Sequence, residues 1–213
     1  MLLLCTVPVS AASSAAPVIL VWGDSLSAAY GIPLESGWVQ LLAARLREQG
    51  YPHRVVNGSV TGETTAGGLA RLPAALARHR PALVLIELGG NDGLRGLPLK
   101  QLRANLRAMV VRARASGARA LVFEMQIPPN YGAAYAEGFQ QAFAEIAQGG
   151  PAHFVPFFLA PIALEPKWFQ EDGIHPSVAA QPLMLDAVWS VLESVLRGAA
   201  QGSSASAPAT ARP

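Results

Sequence analysis

Short apolar runs alternate with stretches of helical period along most of the chain, and this alternation restricts the fold more than any other feature. The run at 17–22 (P-V-I-L-V-W) ends at Gly23, and the run at 82–88 (A-L-V-L-I-E-L) ends at Gly89 and Gly90. Residues 54–57, 118–126 and 153–156 are three further candidate strands, the fourth run being closed by Pro128 and Pro129. Between them, residues 38–49, 64–80, 99–115, 135–148 and 177–197 carry apolar residues at helical spacing, with Gly50, Gly117 and Gly149 as stops. Ser177 is the expected N-cap of the last helix. Continuous apolar strands joined by helical crossovers predict a five-stranded parallel sheet covered on both faces, a three-layer α/β/α sandwich.

The bulk properties narrow the class. A chain of 213 residues is long enough for one domain with a full core, and a formal charge of +2 gives no reason to expect nucleic acid as a partner. Arginines recur from Arg71 to Arg119 at helical spacing and read as solvated helix faces, with an anionic lipid surface as the alternative. Cys5 is the sole cysteine, so no disulfide can form within one chain. The histidines, His53, His79, His153 and His175, are scattered and match no zinc motif.

Both ends differ from the middle. Residues 2–9 are mostly apolar and residues 10–16 are nearly all Ala and Ser, the pattern of an export signal cleaved after Ala12 or Ala15. No Lys or Arg precedes Arg45, which is atypical of such a signal, and the alternative is a disordered tail. The apolar stretch is too short for a stable membrane span. Residues 198–213 are mostly Ala, Ser, Gly and Pro with one arginine and are expected to be disordered. The expected organisation is therefore a leader or tail at 1–16, a folded domain at 17–197 and a tail at 198–213. The predicted location is periplasmic or secreted, and a monomer is expected.

Ligands of open α/β sheets bind beyond the C-terminal ends of the strands. The segments found there are G-D-S-L-S (23–27), N-G-S-V-T-G-E-T (57–64), G-G-N-D-G (89–93) and D-G-I-H-P (172–176). A parallel sheet brings all four to one edge, which collects a hydroxyl, glycine-flanked backbone, a side-chain amide and an acid–histidine pair. Those are the parts of acyl transfer. Ser25 needs a base within reach, and His175 is the right type, since a free imidazole has its pKa near working pH. Asp172, three residues earlier, can fix its tautomer and balance the charge it acquires. The Ser25 amide, the Gly62 amide and the Asn91 side chain can serve as oxyanion donors. Taken singly, each segment has an ordinary reading as a cap or turn; the conjunction carries the expectation. The Gly-x-Ser-x-Gly elbow of α/β-hydrolases is absent.

These segments resemble the conserved blocks of the SGNH (GDSL) hydrolases. Ser25, Gly62 and Asn91 correspond to the first three, and Asp172 with His175 to the last. W-G-D-S-L-S-A-A-Y-G-I, E-L-G-G-N-D-G-L-R-G and M-Q-I-P-P-N-Y-G are similar to the thioesterase I / lysophospholipase / arylesterase subgroup over residues 18–196. The resemblance implies a flavodoxin-like fold and hydrolysis of acyl or aryl esters and thioesters, lysophospholipids among them. It implies no metal and no organic cofactor.

Other residues admit two readings. Tyr30, Leu94, Leu97, Ile127, Pro128 and Tyr131 are the candidates for an apolar acyl groove, or ordinary loop packing. Gly93 and Gly96 can hinge a lid or make turns. Asp24 can support Ser25 or cap a helix. Glu87 and Glu124, at the ends of apolar strands, need partners or raised pKa values if buried. Trp168 and Phe169 read as an anchor for the acid–histidine loop. The competing functions are a carbohydrate O-deacetylase of the same superfamily and a catalytically silent lipid-binding module.

Overall fold

A computed structural model describes residues 15–148 and 152–204. Its centre is a sheet of β1 (Val18–Gly23), β2 (Arg54–Asn57), β3 (Leu83–Glu87), β4 (Arg119–Phe123) and β5 (His153–Val155), in the order β2-β1-β3-β4-β5. Every pairing is parallel, with Leu20 opposite Val56 on one side and Val84 on the other. β1 and β3 are buried along their full length, as their unbroken apolar runs require, whereas edge strand β2 is exposed at Arg54 and Asn57. The chain steps from β1 outward to β2, then returns past β1 to β3. The switch point of the sheet therefore lies between β1 and β3.

Six helices cover the sheet: α1 (Trp38–Glu48), α2 (Thr65–His79), α3 (Gly90–Leu94), α4 (Leu99–Ala115), α5 (Ala133–Gln148) and α6 (Gln181–Ser204). α4 packs against α2 and α5, and α1 packs against α6. This is the three-layer α/β/α architecture expected from the sequence.

Pro73 lies inside α2 and has no N–H for the Leu69 carbonyl four residues earlier. Arg112 of α4 donates to that carbonyl at 3.2 Å, so the break in one helix is closed by its neighbour. On the other face Trp38, Phe123 and Phe158, all fully buried, form a cluster with ring centroids 5.3–6.1 Å apart.

Two local expectations need correction. Ser177 does not cap the final helix with its side chain: its Oγ is buried without a hydrogen-bond partner, a 3-10 turn (Val178–Ala180) follows it, and α6 begins at Gln181. The reason is Pro182, which suits a first helical turn and shifts the start past Ala180. The helix also continues to Ser204, past the boundary expected at residue 197. The proposed leader, apart from Ala15 and Ala16, and residues 205–213 lie outside the described residues.

Candidate active site

Gly23 ends β1 because nothing larger fits. A Cβ there would run into the Glu87 carboxylate and come within 2.8 Å of Ser27 Oγ. The chain then turns, with Ala28 N–H donating to Asp24 O, and presents Ser25 at the sheet edge, 9% exposed. β2 braces this loop: Asn57 Nδ2 donates to Ser27 O at 2.7 Å, and Gly23 N–H donates to Ser59 Oγ at 3.0 Å.

The acid–histidine segment arrives from the far end of the chain. Phe169 and Pro176 form an antiparallel bridge, and Gln170 N–H donates to His175 O, so residues 170–175 close into a tight loop. Within it Asp172 Oδ1 accepts the N–H groups of Ile174 and His175, both at 2.9 Å. Asp172 Oδ2 lies 2.6 Å from His175 Nδ1, and His175 Nε2 lies 2.9 Å from Ser25 Oγ. Residues 150 positions apart in sequence thus form one chain of hydrogen bonds. The His175 amide, its ring and the Ile174 amide together hold the Asp172 carboxyl down at about 2. Asp172 remains a carboxylate wherever His175 could act as a base.

The donor side is built by α2 and α3. Gly62 adopts φ +75°, a left-handed conformation suited to glycine, and Arg95 donates to its carbonyl at 2.9 Å. Among the described residues neither the Ser25 nor the Gly62 N–H donates to another protein group. Asn91 sits in the first turn of α3, its Nδ2 donating to Asp24 Oδ2 at 3.0 Å. Asp92 points the other way and accepts from Thr65 N–H and Thr65 Oγ1, tying α3 to the start of α2.

Two buried acids lie beneath Ser25. Asp24 is 2% exposed and Glu87 wholly buried. Burial pushes Asp24 up to about 6, against the pull of the Leu26 N–H and Asn91. Burial, reinforced by the Asp24 charge, pushes Glu87 well above the ordinary 4.5 despite its bonds to Ser27 Oγ and the Asp24 N–H. Glu87 is thus a neutral acid in the fold and ionises when the chain unfolds near neutral pH. Its stabilising contribution is complete at low pH and is lost as pH rises towards its raised value. Glu87→Gln cannot ionise, so its melting temperature should gain on wild type steadily from pH 5 to pH 8. Parallel melting curves across that range would refute a neutral Glu87. Glu124, by contrast, is only half-buried and has its partners, the Phe157 N–H and Gln126 Nε2.

A cavity of about 550 Å³ opens beside Ser25, His175 and Asn91, within the range of small-molecule sites. Of the six groove candidates, Leu94, Ile127 and Pro128 line it. Tyr30, Leu97 and Tyr131 are not among its walls. Tyr30 instead stacks on the His175 ring, centroids 4.4 Å apart. Leu97 O accepts from Tyr135 Oη, and Tyr131 is 39% exposed. The remaining apolar wall comes from Leu26, Met125, Phe157, Leu159, Ala163, Phe169 and Ile174. Phe169 therefore both anchors the acid–histidine loop and faces the cavity. A second hollow of about 480 Å³, beside α5, is lined largely by glutamates and glutamines, Glu124 among them, and holds neither Ser25 nor His175.

The GDSL-like lipase/acylhydrolase family model matches residues 21–182. "Esterase TesA" of Pseudomonas aeruginosa is 51% identical over 86% of this chain and 91% of its own length. "Thioesterase 1/protease 1/lysophospholipase L1" of Escherichia coli K12 is 41% identical over 82% of each. The crystal structure of psychrotrophic esterase EstA from Pseudoalteromonas sp., inhibited by monoethylphosphonate, superposes with a TM-score of 0.81 at 42% identity, covering 84% of this chain and 98% of that one.

Proposed function

Given that the chain belongs to the GDSL-like lipase/acylhydrolase family and is a serine-dependent ester hydrolase, we propose that Ser25 is its nucleophile, His175 the base and Asp172 the residue that orients the base. The observation that carries this is the continuous relay from Asp172 Oδ2 through His175 to Ser25 Oγ, at 2.6 and 2.9 Å. Ser25 Oγ attacks the acyl carbonyl as His175 Nε2 takes its proton. The Ser25 N–H, the Gly62 N–H and Asn91 Nδ2 receive the oxyanion. His175 returns the proton to the leaving alcohol or thiol, and a water deprotonated by His175 releases the acid from the acyl-enzyme.

The wall of the cavity supports acyl and aryl esters or thioesters as substrates, lysophospholipids among them. It is made of aliphatic and aromatic side chains, whereas an O-deacetylase needs a polar cleft for sugar. Each methylene buried contributes up to about 0.8 kcal/mol, so kcat/KM on p-nitrophenyl esters should climb from acetate through hexanoate. Ala163 is exposed and on the wall, so Ala163→Trp fills the cavity without disturbing the core. It should cut octanoate hydrolysis at least about tenfold and leave acetate nearly unchanged. A profile that falls from acetate onward would favour the deacetylase instead.

The same reading places the enzyme outside the cytoplasm. It is supported by the apolar 2–9 run and the Ala/Ser stretch behind it. Among the described residues no helix is long and apolar enough to cross a membrane.

A further inference from the structure

We propose that Asp24 is a positioning residue that, as a carboxylate, turns the Asn91 side-chain amide so that an N–H faces the oxyanion, and that it releases that hold when protonated. The inference rests on Asn91 being an oxyanion donor, as proposed above.

The argument starts from the symmetry of an amide. Asn91 can present either Oδ1 or Nδ2 to a neighbour with almost no change of shape, but only Nδ2 can stabilise a developing oxyanion. Something must choose between the two. An ionised carboxylate only accepts hydrogen bonds, so Asp24 Oδ2, 3.0 Å from Asn91 Nδ2, admits the amide group and repels the carbonyl. One hydrogen of the NH2 is used on Asp24 and the second is left for the substrate. Asp24 is itself fixed, since its Oδ1 accepts the Leu26 N–H at 3.0 Å.

Three titratable groups act on Asp24 from the elements around it. Glu87 on β3 is bonded to its backbone N–H, Asp92 on α3 pushes its pKa up, and His175 pulls it down. Burial outweighs the rest and brings Asp24 to about 6. Above that value it is ionised and holds the amide group. Below it, the carboxylic acid can donate to the Asn91 carbonyl as readily as it accepts from the NH2, and the orientation is no longer enforced. Acid therefore removes an oxyanion donor through Asp24.

The test is a double-mutant cycle read with pH profiles on one p-nitrophenyl ester. Asn91→Ala should lower kcat by about 10²–10³-fold, as loss of one oxyanion donor does. Asp24→Asn, whose own NH2 attracts the Asn91 carbonyl, should lower kcat at least about tenfold with KM within about twofold. In the Asn91→Ala background the same substitution should cost less than about threefold, because the residue it acts through is gone. The ratio of wild-type to Asn91→Ala kcat/KM should fall as pH drops through about 6, by no more than the cost of Asp24→Asn. Equal costs of Asp24→Asn in both backgrounds, or a ratio that does not change with pH, would overturn the role of Asp24 while leaving the oxyanion assignment standing. No effect of Asn91→Ala on kcat would instead remove the assignment on which the proposal is built.

Discussion

Ser25→Ala is expected to lower kcat on p-nitrophenyl esters by at least about a thousandfold and to abolish retention of a fluorophosphonate label, while far-UV circular dichroism stays that of wild type. The size of the loss follows from the geometry. The proton donor that His175 Nε2 has in reach is the Ser25 hydroxyl at 2.9 Å, and alanine leaves it facing a methyl group. The cavity, the free N–H groups at 25 and 62 and the Asp172–His175 pair all survive the substitution. Binding and oxyanion stabilisation should therefore persist, and a residual rate above that of water is part of the expectation. Ser25 contributes little to packing beyond its Oγ, so folding should be unaffected. Undiminished turnover by the mutant would show that another group carries the acyl intermediate.

The features legible in the sequence were those with a local signature. The residue runs 17–22 and 82–88 announce buried strands because both faces of β1 and β3 are covered, which removes polar alternation from the pattern. Ser25, Asn91, Asp172 and His175 are expected at one edge because a parallel sheet places the ends of its strands together whatever the loop lengths, and they share one cavity or hydrogen-bond relay. What escaped depends on three-dimensional register. The bond between Asp24 and Asn91 joins residues 67 positions apart, and neither has a pattern that names the other. The cavity walls at Leu159 and Ala163 sit on a loop that no periodicity describes. Helix α3 passed for a glycine turn, since five residues with two glycines are too few to show a helical period. Tyr30 lies against the His175 ring and not on the cavity wall, a choice made by the turn at residues 26–31 rather than by its side chain.

Trp38→Ala should cost about 3–5 kcal/mol of folding stability, while Trp38→Phe should cost less than about 1.5 kcal/mol. Trp38 opens α1 and is fully buried between Phe123 of β4 and Phe158 of the loop beyond β5. Alanine leaves a cavity bounded by the sheet on one side and a helix on the other, neither of which can collapse far into it. Phenylalanine keeps most of the ring contact. It also removes an indole N–H that is buried with no hydrogen-bond partner, a group whose desolvation is uncompensated in the folded state. The backbone is indifferent to the change, because the Trp38 N–H is held by Gln181 Oε1 at 3.0 Å whatever side chain it bears. For a domain of this size 1 kcal/mol moves the melting temperature by about 2–4 °C, so Trp38→Ala should melt about 6–20 °C below wild type and Trp38→Phe within about 6 °C of it. Phe158 follows directly on Phe157, which lines the cavity, so the loosened cluster should also raise KM for long esters more than for acetate. Equal melting losses for the two variants would mean that the indole N–H, and not the ring volume, is what the core requires at this position.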